Sequence, residues 1–409
     1  MTQRGDRELD VVVFGATSFV GQILCRYLTE RHGTEGSLRW AIAGRDATKL
    51  DRVARDTGAE VERIVADAAD AAGLAAMAER TKVVVSTVGP YARYGSPLVA
   101  AVATVGTDYC DLTGEAQWMR RMIDEHSAAA EASGARIVHT CGFDSIPSDL
   151  GVWFTQQQAT ERFGVPCEQI RMRVLSTRGG VSGGTIASML NLLDEASADP
   201  ALRKLLADPY CLAPPDLRHG PRQPDTLRPT KDPASGRWIA PFVMAAVNTR
   251  VVHRTHALLG RPWGPNFRYD EAMATGTGPL GAAAATGLTA GLAVGMGALA
   301  VGPIRRTLGA KVLPQPGSGP SPEAQEKGSF ELGFWGTTAD GRRIETRVRG
   351  DRDPGYGATA RMLGESASAL VDLPADEVGG GFWTPATAFG DRLVERLEAH
   401  AGMSFDVVG

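Results

Sequence analysis

Cysteine is scarce in this 409-residue chain: Cys25, Cys110, Cys141, Cys167 and Cys211 lie far apart, with no C-x-x-C pair. Such spacing rules out the usual zinc modules and a disulfide framework, and it predicts reduced, mostly buried thiols. A surplus of positive charge is also missing. The formal net charge of −4 argues against a nucleic-acid-binding surface. The charged first ten residues run straight into an apolar strand, so no secretory leader is expected and the location read from the sequence is cytoplasmic. His253 and His256 form an H-x-x-H without a further ligand at metal-site spacing. They read as surface or packing histidines, and no metal is expected.

The most informative stretch is Leu9 to Gly21, where a β-branched run enters a glycine turn at Gly15 and opens a helix. This is the strand, turn and helix start of a dinucleotide-binding βαβ unit. Gly15, Thr17, Ser18, Phe19, Val20 and Gly21 are the candidate phosphate-binding residues. Gly15 allows the tight turn, Gly21 permits close helix packing, and the helix N-terminus offers free N–H groups to a pyrophosphate. Ser18 stands where the fingerprint has its middle glycine. The second strand, Leu38 to Ala43, ends in Gly44-Arg45-Asp46. An acidic residue there would suit the ribose of NAD. Arg45 suits the 2′-phosphate of NADP instead, or is a solvated charge at a strand end. Asp46 reads as a helix N-cap.

Strands and helices alternate through residue 150, which predicts an α/β fold: a Rossmann-type doubly wound parallel sheet over 1–150. The third strand closes on Asp67, placed at the adenine end of the cofactor. The fourth runs from Lys82 to Val88 and leads into Gly89-Pro90-Tyr91, so Val88, Gly89 and Pro90 join the cofactor-binding set. Loops at 89–94, 111–115 and 141–149 fall at the carboxyl ends of strands, where ligands collect. Residues 151–354 read as a second, α+β substrate domain. It includes strand Ile170–Ser176, a helix over 185–196, a surface excursion over 208–240, and a hairpin turning at Ala339-Asp340-Gly341. Residues 355–409 read as C-terminal helices, 357–373 and 386–399, packing back on the nucleotide domain.

One segment is compositionally unusual. Ala272 to Ile304 has no charged side chain, and Arg305-Arg306 follow. Its length admits a membrane span, but Ala, Gly and Thr dominate, and Pro279 and Pro303 lie within it, so insertion is weak. Gly287, Gly291 and Gly295 form a small-residue stripe suited to close packing in a membrane or between subunits. A buried or dimer-packing helix, a peripheral membrane contact through 272–304 and a true span all stay open.

Several motifs occur in a fixed order: the glycine turn, Ala43-Gly44-Arg45, Thr87-Val88-Gly89-Pro90-Tyr91 with Tyr94-Gly95, Asp111-Leu112-Thr113-Gly114-Glu115, and Cys141 through Asp149. Ser182-Gly183-Gly184-Thr185, Arg268-Tyr269, Pro316 through Pro320 and Thr384-Pro385-Ala386 continue the series. Together they resemble the saccharopine dehydrogenase-like oxidoreductases, and most closely the trans-acting enoyl reductase branch known from mycobacterial phthiocerol-type lipid synthesis. Ser18 departs from that family's usual glycine. The resemblance implies NADPH as reductant and action in trans on a C=C bond of an acyl chain. That chain would be an acyl thioester or lipid substrate on an acyl carrier protein or polyketide synthase; similar enzymes also suggest a homodimer. It carries over no catalytic residue set.

Enoyl reduction needs hydride at Cβ, a polarised thioester carbonyl and a proton for Cα. Tyr91, just past the fourth strand, could bond a carbonyl or donate a proton, or pack beneath the cofactor. Asp144 and Ser145 fall near the expected nicotinamide position. Asp144 could hold a carboxamide, position water or cap the helix near Pro147. Glu115 ends a loop at the same sheet edge. Two other readings compete: a saccharopine-type amino-acid dehydrogenase, whose substrate carboxylates would need clustered Arg or Lys, and a non-catalytic NADP-binding sensor.

Overall fold

Leu9–Phe14 (β1) is buried along its whole length, and its alternate side chains serve two different cores. Val11 and Val13 face one, Val12 and Phe14 the other, the pattern of a parallel strand covered on both sides. In the computed structural model, which describes residues 7–179, 183–300 and 319–408, β1 pairs with Trp40–Gly44 (β2) and Thr81–Ser86 (β4). Glu62–Val65 (β3), Asp108–Asp111 (β5), Arg136–Val138 (β6) and Gly381–Trp383 (β13) complete a seven-stranded sheet. Its order is β13-β6-β5-β4-β1-β2-β3, with every pair parallel. Helices Phe19–His32 and Thr359–Asp372 contribute to the core on one face; Ser96–Val105 and Ala116–Ser133 contribute to the core on the other.

A second seven-stranded sheet runs β14-β12-β11-β7-β10-β9-β8. Its strands are Cys167–Arg178 (β7), Thr230–Lys231 (β8), Trp238–Ala240 (β9), Arg268–Gly276 (β10), Ser329–Thr338 (β11), Arg343–Gly350 (β12) and Met403–Val407 (β14). Only β10 and β7 pair in parallel; the remaining pairs are antiparallel. Helix Ile146–Phe163 leads from the first sheet onto the second. At Gly151 a Cβ would stand 2.2 Å from the Phe334 ring, so glycine is what lets helix and strand approach.

The C-terminal region is more than helices. It supplies an edge strand to each sheet, β13 and β14. The continuous helix expected over 386–399 is two, Pro385–Phe389 and Asp391–His400, separated by Gly390 at φ +51°. Two buried polar links bind this region to the first sheet and to helix Ile146–Phe163 that follows it. Arg136 holds Asp108 through two nitrogens (2.9 and 2.6 Å) and also donates to the carbonyls of Leu370, Leu373 and Pro374. It thereby satisfies the C-terminal carbonyls of helix Thr359–Asp372, which lack intrahelical donors. Asp149 accepts from the Ala386 N–H (2.8 Å) and the Thr255 hydroxyl. The motifs at 141–149 and 384–386 therefore meet in space. Burial pushes the Asp149 carboxyl up to about 7. All five cysteines are buried and free.

Candidate active site

The topological switch point of the parallel sheet lies between β1 and β4, where doubly wound sheets bind ligands. Gly15 follows β1 at φ +91°, and a Cβ there would come within 2.6 Å of Val88 and 2.8 Å of the Thr87 hydroxyl. Thr87 Oγ1 donates to the Gly15 carbonyl (2.9 Å) and lies 2.9 Å from Ser18 Oγ. Ser18 Oγ in turn accepts from Gly21 N at 2.9 Å, capping helix Phe19–His32. A serine where glycine is usual thus closes the turn onto the β4 loop. The N–H groups of Phe19 and Val20, first in the helix, have no intrahelical acceptor. They and the positive end of the dipole are what an anionic pyrophosphate requires.

Thr17 packs against Gly44 at the end of β2, so Arg45 follows the strand end that abuts the turn. Arg45 is exposed and belongs to no ion pair among the described residues. Asp46 caps the next helix by accepting from Lys49 N (3.0 Å). Asp67 lies one strand further out, exposed, with its carboxylate accepting from Ala69 N (2.9 Å). Val88 is half-buried and Gly89 exposed, and the Gly89–Pro90 peptide is cis. The residues present fit a dinucleotide: a tight glycine turn, free helix N–H groups and an unpaired cation at the second strand end.

The three candidate catalytic residues separate. Tyr91 is drawn into the core: its hydroxyl donates to the Ser86 carbonyl (2.9 Å), its ring lies 5.3 Å from that of Trp118, and burial raises the phenol well above its ordinary range. Ser145 is fully buried and donates to Asn248 Oδ1 (3.0 Å). Asp144 stands apart from both. It does not cap the helix, because the cap position falls to Ser145, which makes no side-chain capping bond. The Asp144 carboxylate lies beside Gly114, as does the Met244 methyl, at the seam between the β5 loop and the second domain. Burial alone pushes it up to about 6. The neighbours of Asp144 are pinned. Phe143 N donates to Thr359 Oγ1 (3.0 Å), and the Phe143 ring packs edge-on to Phe330 at 4.9 Å. A carboxyl titrating near neutrality can hand over a proton at working pH.

Glu115, weighed from the sequence, and several polar residues that sequence reasoning left out form two further hydrogen-bonded clusters. Glu115 accepts from the N–H groups of Tyr91 (2.8 Å) and Ala92 (3.0 Å) and from the Ser188 hydroxyl (2.7 Å), while burial pushes its carboxyl up. Arg93 donates to Asn191, which donates to Glu195. These bonds hold helix Gly183–Ala198 of the second domain against the loop after β4. Behind Ser145, Asn248 donates to Ser148 (3.1 Å) and to Glu271 (3.0 Å); Glu271 also accepts from Tyr269 (2.7 Å) and is pushed by burial to about 7. Arg268-Tyr269 was a signal for this cluster; Asn248 carried none, since its partners lie 23 to 103 residues away in sequence. His253 and His256 lie buried among Tyr210, Trp263 and Phe267. Among the described residues no cluster could hold a metal ion.

No protein-family model matches the chain. Solved structures of similar fold include saccharopine dehydrogenase from Saccharomyces cerevisiae, with a TM-score of 0.51 at 12% identity over 98% of this chain and 100% of that one. Homospermidine synthase from Legionella pneumophila scores 0.52 at 11% identity, covering 98% and 92%. The fold is that of the saccharopine dehydrogenase-like Rossmann oxidoreductases. In sequence the likeness is much greater to proteins named trans-acting enoyl reductase. One from Mycobacterium tuberculosis is 45% identical over 412 residues, 97% of each chain, and one from Mycobacterium bovis is 41% identical over 411 residues, 96% of each. The chain belongs to the trans-acting enoyl reductase family, and membership of a reductase family implies a nicotinamide cofactor.

Proposed function

We propose that this protein is an NADPH-dependent enoyl reductase that acts in trans on a C=C bond of an acyl or polyketide lipid intermediate, presented as a thioester on a carrier protein or polyketide synthase. The observation that carries this reading is the identity of 41 to 45% over nearly the full length with trans-acting enoyl reductases. Arg45, exposed and unpaired beside the glycine turn, supports preference for a 2′-phosphate. A nicotinamide dinucleotide held at the Gly15 turn and the N-terminus of helix Phe19–His32 would supply hydride to Cβ. Asp144 delivers the proton to Cα, while the bonds from Glu115 and Arg93 hold helix Gly183–Ala198 against the loop after β4.

The second domain supports an uncharged substrate. Its most buried arginine, Arg173, is already committed to Asp232 (3.1 Å) and Asp270 (2.7 Å) and is not available to substrate carboxylates. The test is NADPH oxidation, followed at the nicotinamide absorbance, with a long-chain 2-enoyl thioester and, separately, with a keto acid plus amine. Turnover of the thioester alone is expected. Turnover of the imine pair alone would overturn the proposal in favour of amino-acid dehydrogenase chemistry. NADPH binding with neither activity, even on carrier-bound thioester, would favour a sensor.

A further inference from the structure

We infer that helix Gly278–Ala300 docks this protein on the surface of an anionic lipid bilayer, lying within the interface without crossing it. The helix has 23 residues and so runs about 35 Å. No charged side chain occurs from Ala272 to Ile304. The most apolar 18-residue window within Gly278–Leu299 has a mean hydropathy of 1.5, yet only 6% of that window is buried inside the protein. Leu280 is 86% exposed and Val294 73%, with Leu288 and Met296 also open to solvent. At about 100° per residue these four side chains spread over roughly 200° of the helix circumference. A second copy or a flat protein face would cover one stripe of such a helix. A lipid phase covers the whole arc.

Charge beyond the C-terminal end of the helix selects the kind of lipid. Between Glu271 and Glu323 there is no acidic residue, and the charged residues there are Arg305, Arg306 and Lys311. Cations directly beyond an apolar helix are attracted to anionic headgroups.

The connections of the helix exclude a span. Its first residue lies two positions after the end of β10, so that end is fixed to the second sheet. On the far side, Gly319 sits against the ring of Phe19, where a Cβ would be 2.3 Å from Phe19 Cε1; Phe19 begins the helix of the dinucleotide turn. Both ends therefore return to one folded body. If the helix crossed the bilayer, the stretch 301–318 would have to cross back. It carries three cations as well as Pro303, Pro314 and Pro316, so it would leave backbone groups unpaired and charges in hydrocarbon. Shallow embedding satisfies both connections.

The test uses the full chain and flotation with vesicles of phosphatidylcholine alone or mixed with phosphatidylglycerol. Flotation with the mixed vesicles, and much less with the neutral ones, is expected. The V294E/M296E double variant alters only exposed side chains. It should keep wild-type thermal unfolding and nucleotide binding while floating about tenfold less or worse. R305A/R306A should lose the preference for anionic vesicles. Trypsin added outside vesicle-bound protein should cut after Arg305, Arg306 or Lys311. Failure of the wild-type chain to float, or equal flotation of V294E/M296E, would overturn the inference. Protection of the tryptic sites would replace it with a true span. A wild-type dimer in solution that V294E/M296E splits, without vesicle binding, would replace lipid with a second copy. None of these readouts depends on enoyl reductase activity.

Discussion

Replacing Asp144 with asparagine should make the protein less active and more stable at once. Asp144 titrates at about 6 because it is desolvated at the domain seam. Relative to its ordinary 3.8 this is about two pH units, which at 1.4 kcal/mol each would cost the folded state about 3 kcal/mol once the group is ionised. The Asp144 side chain is only half-buried, and solvent screening reduces that to about 1–2 kcal/mol. The sign follows from the raised folded value. The folded state holds the proton more tightly, so the cost is absent below about pH 4. It accrues between about 4 and 6 and is complete above. D144N, which never ionises, should match the wild type at pH 4 in urea unfolding and exceed it by about 1–2 kcal/mol at pH 8. Its kcat for enoyl thioester reduction should fall about 100-fold or more, the usual worth of a positioned proton donor. In the wild-type enzyme the acid form drops from about nine-tenths at pH 5 to about one-eleventh at pH 7, so kcat should decline about tenfold over that range when chemistry is rate-limiting. Retention of kcat by D144N would refute the donor assignment. Loss of kcat without the stability gain at pH 8 would refute desolvation as the origin of the shifted pKa.

Three further outcomes are expected. R45E should weaken NADPH binding at least about tenfold while barely changing NADH binding, as read by nucleotide fluorescence titration; equal losses for both would remove the 2′-phosphate role. R136L should lower unfolding free energy by about 3–5 kcal/mol, because Asp108 is left charged and buried. The D108L/R136L pair should recover much of that loss in urea denaturation. G151A forces a methyl into the Phe334 ring and should cost about 1–3 kcal/mol with no change in nucleotide affinity. A neutral result would mean that the helix and β11 slide apart freely.

Local patterns carried the nucleotide half of this molecule. The apolar run of β1, the glycine turn and Asp46 depend on contacts within a few residues, so periodicity and capping rules reach them. Ser18 was legible as a small residue, but its bond to Thr87 joins positions 69 apart and turns a departure from the glycine pattern into a closed turn. The helix break at Gly390 and the edge strands β13 and β14 were not legible, since a three-residue strand has no periodicity of its own. It forms because the edge of a sheet built much earlier in the chain offers it backbone partners.

The candidate site divides along the same line. By itself, the sequence determined where a phosphate turn, a strand-end arginine and an uncharged helix must lie, because each is a property of consecutive residues. Tertiary structure decided which polar groups are left for chemistry. Tyr91, Asp144 and Ser145 are equivalent as letters at strand ends. Ser86 and Trp118 take up Tyr91, and Asn248 takes up Ser145. Asp144 is left beside Gly114, desolvated by a domain that begins after it in the chain. A pKa depends on what surrounds a group in space, and for Asp144 those surroundings come from residues far away in sequence.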